Sequence, residues 1–162
     1  MKTLILIRHA KSSWEHDVID HERPLNDRGY RDAKLVSNHI STKNLTPDLV
    51  LVSDATRTRL TADAFIEAFP ISMDKVQYNY DLYDFSGYNL TKVIKNCPND
   101  INQLMVFGHN HAITAFVNTY GSKYIDNVPT CGVVVIDFDI QYWENLKQGI
   151  TREVIFPKHL KS

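Results

Sequence analysis

A chain of 162 residues is long enough for one domain with a sizeable core and too short for two comfortable ones, so residues 1–162 read as a single domain. With 43% hydrophobic residues, 23% charged residues and a net charge of −1, it has the make-up of an ordinary globular protein and no overall field to attract nucleic acid or a membrane surface. Any anion site must therefore be built locally.

The first element is "TLILI" at 3–7, an apolar run that stops at Arg8-His9. It is too short for a secretory h-region and lacks a small-residue cleavage pattern, and no later run approaches a membrane span. Cys97 and Cys131 form no CxxC pair and read as reduced packing residues, which fits a cytoplasmic location. After Leu25, the residues Tyr30, Ala33, Val36 and Ile40 fall at helical spacing, with Asn26 or Asp27 as the cap. "LVLVS" at 49–53 reads as the second strand. The helix after it places Leu60, Ala64 and Ala68 on one face, with Phe65 and Phe69 beside them, and ends at Pro70. A shorter helix carries Leu90, Val93 and Ile94 and stops before Pro98. "QLMVF" at 103–107 is the third strand, and a helix carrying Ile113, Phe116, Val117 and Tyr120 follows, closed by Gly121. "VVVIDF" at 133–138 is the fourth. The tail, "YWENLKQG" then "TREVIF", is expected to return as an antiparallel pair at the sheet edge.

Short apolar strands without alternation are covered on both faces, and their alternation with helices predicts an α/β sandwich around a mainly parallel sheet. In such sheets ligands bind beyond the carboxyl ends of the strands. The residues delivered there are Arg8-His9 after the first strand, Arg57 about one helical turn after the second, and Gly108-His109-Asn110 after the third. Two guanidiniums offer forked donors matched to phosphate oxygens, and helices that start nearby add backbone N–H groups. An imidazole among such cations is biased toward its neutral form, which is nucleophilic when one nitrogen is held by a hydrogen bond. The set points to phosphoryl transfer through a covalent phosphohistidine. A metal centre is not expected, because arginines occupy the converging positions and would repel a cation.

"LIRHAKSSW", "RPLNDRG", "LVSDATRTRLTA" and "VFGHN", together with "PTCG" before the last core strand, resemble the histidine phosphatase superfamily in order and spacing, and most closely its small branch of SixA-type phosphohistidine phosphatases. The resemblance runs from Met1 to about Phe138. It implies a three-layer α/β/α, phosphoglycerate mutase-like fold and no cofactor. It makes His9 the phosphate acceptor, Arg8 and Arg57 the phosphate clamp, and His109 the imidazole that stabilises charge in transfer. Two positions depart from the pattern: Ala10 stands where glycine is usual, and His111 where proline is usual. Larger members carry a glutamate acid in a Leu-x-Glu setting. The nearest match here, "LYD", gives Asp84 as the general acid, with Asp81 the alternative.

Arg23 in "DHERPL" either reads substrate or pairs with Asp20 or Glu22. Trp14, Tyr83 and Tyr88 form a rim or simply pack. His16, His21, His39 and His159 have no evident partners. The expected activity is that of a metal-independent phosphatase acting on the phosphohistidine of a protein, since a phosphoramidate nitrogen is easily protonated and tolerates a weak general acid. Two alternatives stand beside it: a small-molecule phosphomonoesterase of the same superfamily, and a non-catalytic phosphate-binding module.

Overall fold

The structure, a computed structural model, describes residues 1–161. Six strands form one sheet: β1 (Lys2–Arg8), β2 (Leu49–Ser53), β3 (Val76–Asn79), β4 (Gln103–Gly108), β5 (Val133–Phe138) and β6 (Ile150–Ile155). Their spatial order is β3-β2-β4-β1-β5-β6. The helices are α1 (Asp27–Ile40), α2 (Thr56–Ala68), α3 (Tyr88–Lys95), α4 (Ala112–Tyr120) and the short α5 (Pro157–Leu160). None of them is long and apolar enough to cross a membrane.

Period-two geometry splits each apolar strand between two cores. Leu4 and Leu6, Leu49 and Leu51, and Leu104 and Val106 pack with Leu90 and Ile94 of α3 and with Ile113, Phe116 and Val117 of α4. Ile5 and Ile7, Val50 and Val52, and Met105 and Phe107 pack with Val36 and Ile40 of α1 and with Ala62 and Phe65 of α2. This is the expected α/β/α sandwich. Across the second core Phe65 meets Phe107 edge to face, with ring centroids 5.2 Å apart.

The four apolar runs all become strands, and the structure refines the rest. β3, β2, β4 and β1 run parallel, whereas β5 is antiparallel to β1, with Val133 opposite Ile7. Residues 121–132 carry the chain from the end of α4 back to the carboxyl edge of the sheet, so β5 starts where the parallel strands finish. β3 has no apolar signature because it is a half-exposed edge strand, "VQYN". The tail pairs differently from expectation. β6 lies antiparallel on β5, while Trp143–Asn145 makes a single 3-10 turn that buries Trp143 against Phe138. Asn26 is the cap of α1, its side chain accepting from the Gly29 N–H at 2.8 Å.

Candidate active site

The carboxyl ends of β1, β2 and β4 deliver their polar residues to one open cleft of about 470 Å³, lined by Arg8, His9, Lys11, Ser12, Trp14, Asp20, Arg23, Arg57, Phe85, Asn110 and Thr130. The His9 backbone is held from three sides. Its N–H donates to the Gly108 carbonyl of β4, and its carbonyl accepts from Cys131 N–H at 3.0 Å; the next amide, Ala10, donates to Thr61 Oγ1 of α2 at 2.9 Å.

The His9 ring lies with Nδ1 2.7 Å from the Ala10 carbonyl. A carbonyl only accepts, so Nδ1 carries the proton and Nε2 presents its lone pair. Arg57 Nε stands 3.4 Å from that nitrogen. Burial, with the charges of Arg57, Arg8 and Arg23, lowers the His9 pKa to about 3 against the pull of the Ala10 hydrogen bond, so the ring is neutral across the physiological range.

His109, almost wholly buried, tilts against His9 with centroids 5.1 Å apart. Its Nε2 lies 2.8 Å from Ser53 Oγ and 3.2 Å from Thr58 Oγ1, while its buried Nδ1 has no partner in the protein. Ser53 Oγ also accepts from the Ala55 N–H. When a hydroxyl donates to Nε2, the ring proton sits on Nδ1. Burial first, and then His9 and Arg57, lower the His109 pKa to about 2. In that tautomer the neutral ring has an unpaired N–H to offer an incoming oxyanion.

Arg8 reaches the Val128 carbonyl at 2.9 Å through Nη1 and leaves its buried Nε without a partner. Arg57 is 2% exposed, and its two terminal nitrogens contact Asp20. Arg23 lines the cleft and pairs with Asp20 at 3.1 Å, while Nη1 donates to Ser12 Oγ and the Ser13 carbonyl. Trp14 covers it, the ring centroid 3.5 Å from the guanidinium carbon, and is 75% exposed, so this aromatic is rim and not core.

Asp84 requires correction. Its carboxylate accepts from the N–H groups of Ser86, Gly87 and Leu90 and from the Ser86 hydroxyl, which makes it the cap of α3. Burial opposes its ionisation, but these bonds prevail and hold the carboxyl below its ordinary value. It is not among the cleft-lining residues and is poorly suited to give up a proton. Asp81 is exposed, and only its backbone N–H is engaged, by Asn79. The neighbours Tyr83 and Phe85 do approach the site, each packed on the His109 ring at 5.3 and 5.2 Å.

Sequence reasoning missed Asp20 as a member of the site, and with it the buried hydroxyls of Ser53, Thr58 and Thr61. A signal for the threonines was present. Thr58 and Thr61 are polar residues three apart on the same helix face as the apolar Ala62 and Phe65. His21, read as partnerless, pairs with Asp54 at 2.7 Å. Among the described residues no three His, Cys, Asp or Glu side chains converge as a metal-ligand set.

The model of the histidine phosphatase superfamily (branch 1) matches residues 4–103. The chain belongs to that superfamily. An uncharacterized chloroplastic protein of Arabidopsis thaliana is 32% identical over 155 residues, covering 88% of this chain and 69% of its own. A phosphoserine phosphatase of Hydrogenobacter thermophilus is 30% identical over 112 residues, 64% of this chain and 50% of its own. Among solved structures, a candidate phosphohistidine phosphatase SixA from Agrobacterium tumefaciens superposes with a TM-score of 0.79 at 26% identity, over 96% of this chain and 98% of that one. Membership and neighbours together support a histidine phosphatase, and the fold is that of the superfamily.

Proposed function

We propose that this histidine phosphatase moves a phosphoryl group from the phosphohistidine of a protein to Nε2 of His9 and then to water. The observation that carries the reading is the His9 ring itself: neutral, fixed through Nδ1–H on the Ala10 carbonyl, with its free Nε2 beside Arg57 Nε. In the first step the lone pair of Nε2 attacks phosphorus. The second nitrogen of the substrate imidazole takes a proton from solvent, the bond from phosphorus to the first nitrogen breaks with its electron pair staying on that nitrogen, and the imidazole departs neutral. Arg8 and Arg57 neutralise the equatorial oxygens, and His109 Nδ1–H donates to one of them. In the second step water attacks phosphorus, the bond to Nε2 breaks, inorganic phosphate leaves, and the proton of the water passes to solvent. The guanidiniums supply the positive charge, so the reaction is expected to run unchanged in a chelator.

The preference for phosphohistidine rests on the missing acid. Asp84 is spent as a helix cap, and Asp20 is held as an anion by Tyr83, Arg57 and Arg23. A phosphate ester leaves as an alkoxide and needs a donor; a protonatable nitrogen does not. An open cleft rimmed by Trp14 and Phe85 suits a side chain presented by another protein.

The test is hydrolysis of p-nitrophenyl phosphate and of a phosphohistidine peptide in excess chelator, wild type against His9→Ala. Both activities are expected to vanish in the variant, and the peptide is expected to exceed a phosphoserine peptide in kcat/KM by at least about 100-fold. Equal rates on phosphoserine would make the chain a general phosphomonoesterase. Phosphate binding without turnover in the wild type would make it a recognition module.

A further inference from the structure

Asp20 enters the cleft on the single 3-10 turn Asp20–Glu22 and is the one carboxylate among the lining residues. Its contacts are distributed in an informative way. Arg57 Nη1 donates to the Asp20 carbonyl at 2.7 Å and Nη2 to its Oδ2 at 3.0 Å, so both terminal nitrogens are committed to this one residue. Nε is the atom that faces His9 Nε2, and each terminal nitrogen keeps one further N–H. Arg23 meets Oδ1 through Nε at 3.1 Å, and the Tyr83 hydroxyl donates to Oδ2. Two carboxylate oxygens therefore take three donors from three separate segments of chain, and the carboxylate is fixed in place although its side chain is 45% exposed.

The charges follow a pattern. Arg8, Arg23 and Arg57 bring three permanent positive charges to the cleft, and Asp20 cancels one. The excess matches a phosphate dianion, apart from the exposed amine of Lys11. A site with an uncompensated third guanidinium would hold inorganic phosphate more tightly without stabilising the transition state further, which slows product release instead of speeding transfer.

We propose that Asp20 is a positioning and charge-balancing residue: it fixes Arg57 with Nε on the reaction centre, and it trims the cationic field so that product phosphate is released. The inference rests on the reading of His9 as phosphate acceptor. It also separates from a plain structural role. Removing the carboxylate raises the positive potential at the bound anion, which tightens phosphate binding, while the freed guanidinium loses its aim and transfer slows. Turnover and phosphate affinity then move in opposite senses. Loss of mere scaffolding would weaken both.

The experiment is steady-state hydrolysis of p-nitrophenyl phosphate by Asp20→Asn and Asp20→Ala, with inorganic phosphate as inhibitor and as titrant in calorimetry. Tyr83→Phe is added as a milder variant that keeps the ring and Asp20 but removes one donor. For Asp20→Asn a kcat loss of roughly 10- to 100-fold is expected together with phosphate binding about 3- to 10-fold tighter. Tyr83→Phe keeps the Asp20 charge, so it is expected to lower kcat by about threefold or less without tightening phosphate binding; if the Asp20 variants fold poorly, a Tyr83→Phe kcat equal to wild type overturns the positioning role. An unchanged kcat, or phosphate binding that weakens alongside kcat, overturns the proposal. A wild type that binds phosphate but turns over no substrate defeats the catalytic reading instead. The phosphate affinity of the variants then still decides whether Asp20 balances charge.

Discussion

The hydroxyls of Ser53 and Thr58 both address Nε2 of His109, and as donors they hold the ring proton on Nδ1, where it has no partner in the protein. Removing both hydroxyls, in Ser53→Ala with Thr58→Val, frees the ring to hold its proton on either nitrogen. A kcat loss of about 10-fold or more is expected with the fold intact, and nitrogen chemical shifts of His109 report the tautomer directly. Asp84 gives the opposite outcome. Asp84→Ala strips a cap from α3 and is expected to cost about 1–2 kcal/mol in urea unfolding while leaving kcat within about twofold. The sequence made Arg8, His9, Arg57 and His109 readable because each follows a buried strand at a spacing that chemistry explains. Asp84 was misread because "LYD" is a local likeness, whereas the work of a carboxylate is set by the turn that follows it. Asp20 was readable only as a partner for Arg23, because its other partners come from positions 57 and 83, which nothing in a linear pattern brings to it.

Among the elements, α2 departs most from its apolar pattern. The expected face was Leu60, Ala64 and Ala68 with Phe65 and Phe69 beside them; the buried residues are Arg57, Thr58, Thr61, Ala62, Phe65 and Ile66, so Phe65 alone of the expected set is fully buried. Periodicity weighs apolar residues only, and here two threonines sit inside because the site uses their hydroxyls, Thr58 toward His109 and Thr61 toward the Ala10 amide. Helix α1 supports the site by contact. Gly29 lies in its first turns, and a Cβ there would collide with the Lys11 carbonyl, which belongs to the loop that leaves His9. The same carbonyl accepts from Asn26 N–H, so the start of α1 and the loop after β1 are joined. Replacing an interior helix glycine by alanine ordinarily stabilises a helix by about 0.5–1 kcal/mol. Gly29→Ala is expected to reverse that sign, lowering the urea midpoint and reducing kcat as the loop shifts.

For the whole molecule, the two buried imidazoles tie stability to pH. In the unfolded chain each histidine titrates near 6.5, whereas the folded values are about 3 for His9 and about 2 for His109. The unfolded state therefore binds more protons throughout the interval between. The contribution is fully present above pH 6.5 and is lost as pH falls toward the folded values, by about 1.4 kcal/mol per pH unit for each ring. Urea midpoints taken from pH 7 to pH 4 are expected to decline, and His109→Asn to lose about half of the slope. The architecture of the sheet was legible in its four apolar runs, while the reversal of β5 was not, since a strand pattern carries no direction. That reversal has a consequence in time. β1 is made first and lies at the centre of the sheet, yet its neighbours are residues 103–108 on one side and 133–138 on the other. As the chain leaves the ribosome, the strand that ends at Arg8-His9 waits with both edges open until residues 103–108 and 133–138 have been synthesised. Pairing β1 with them must then close large loops, at an entropic cost that slows folding. The phosphate cleft is thus among the last parts of the molecule to be completed, and a nascent chain released before residue 133 would carry the histidine without the wall that holds it.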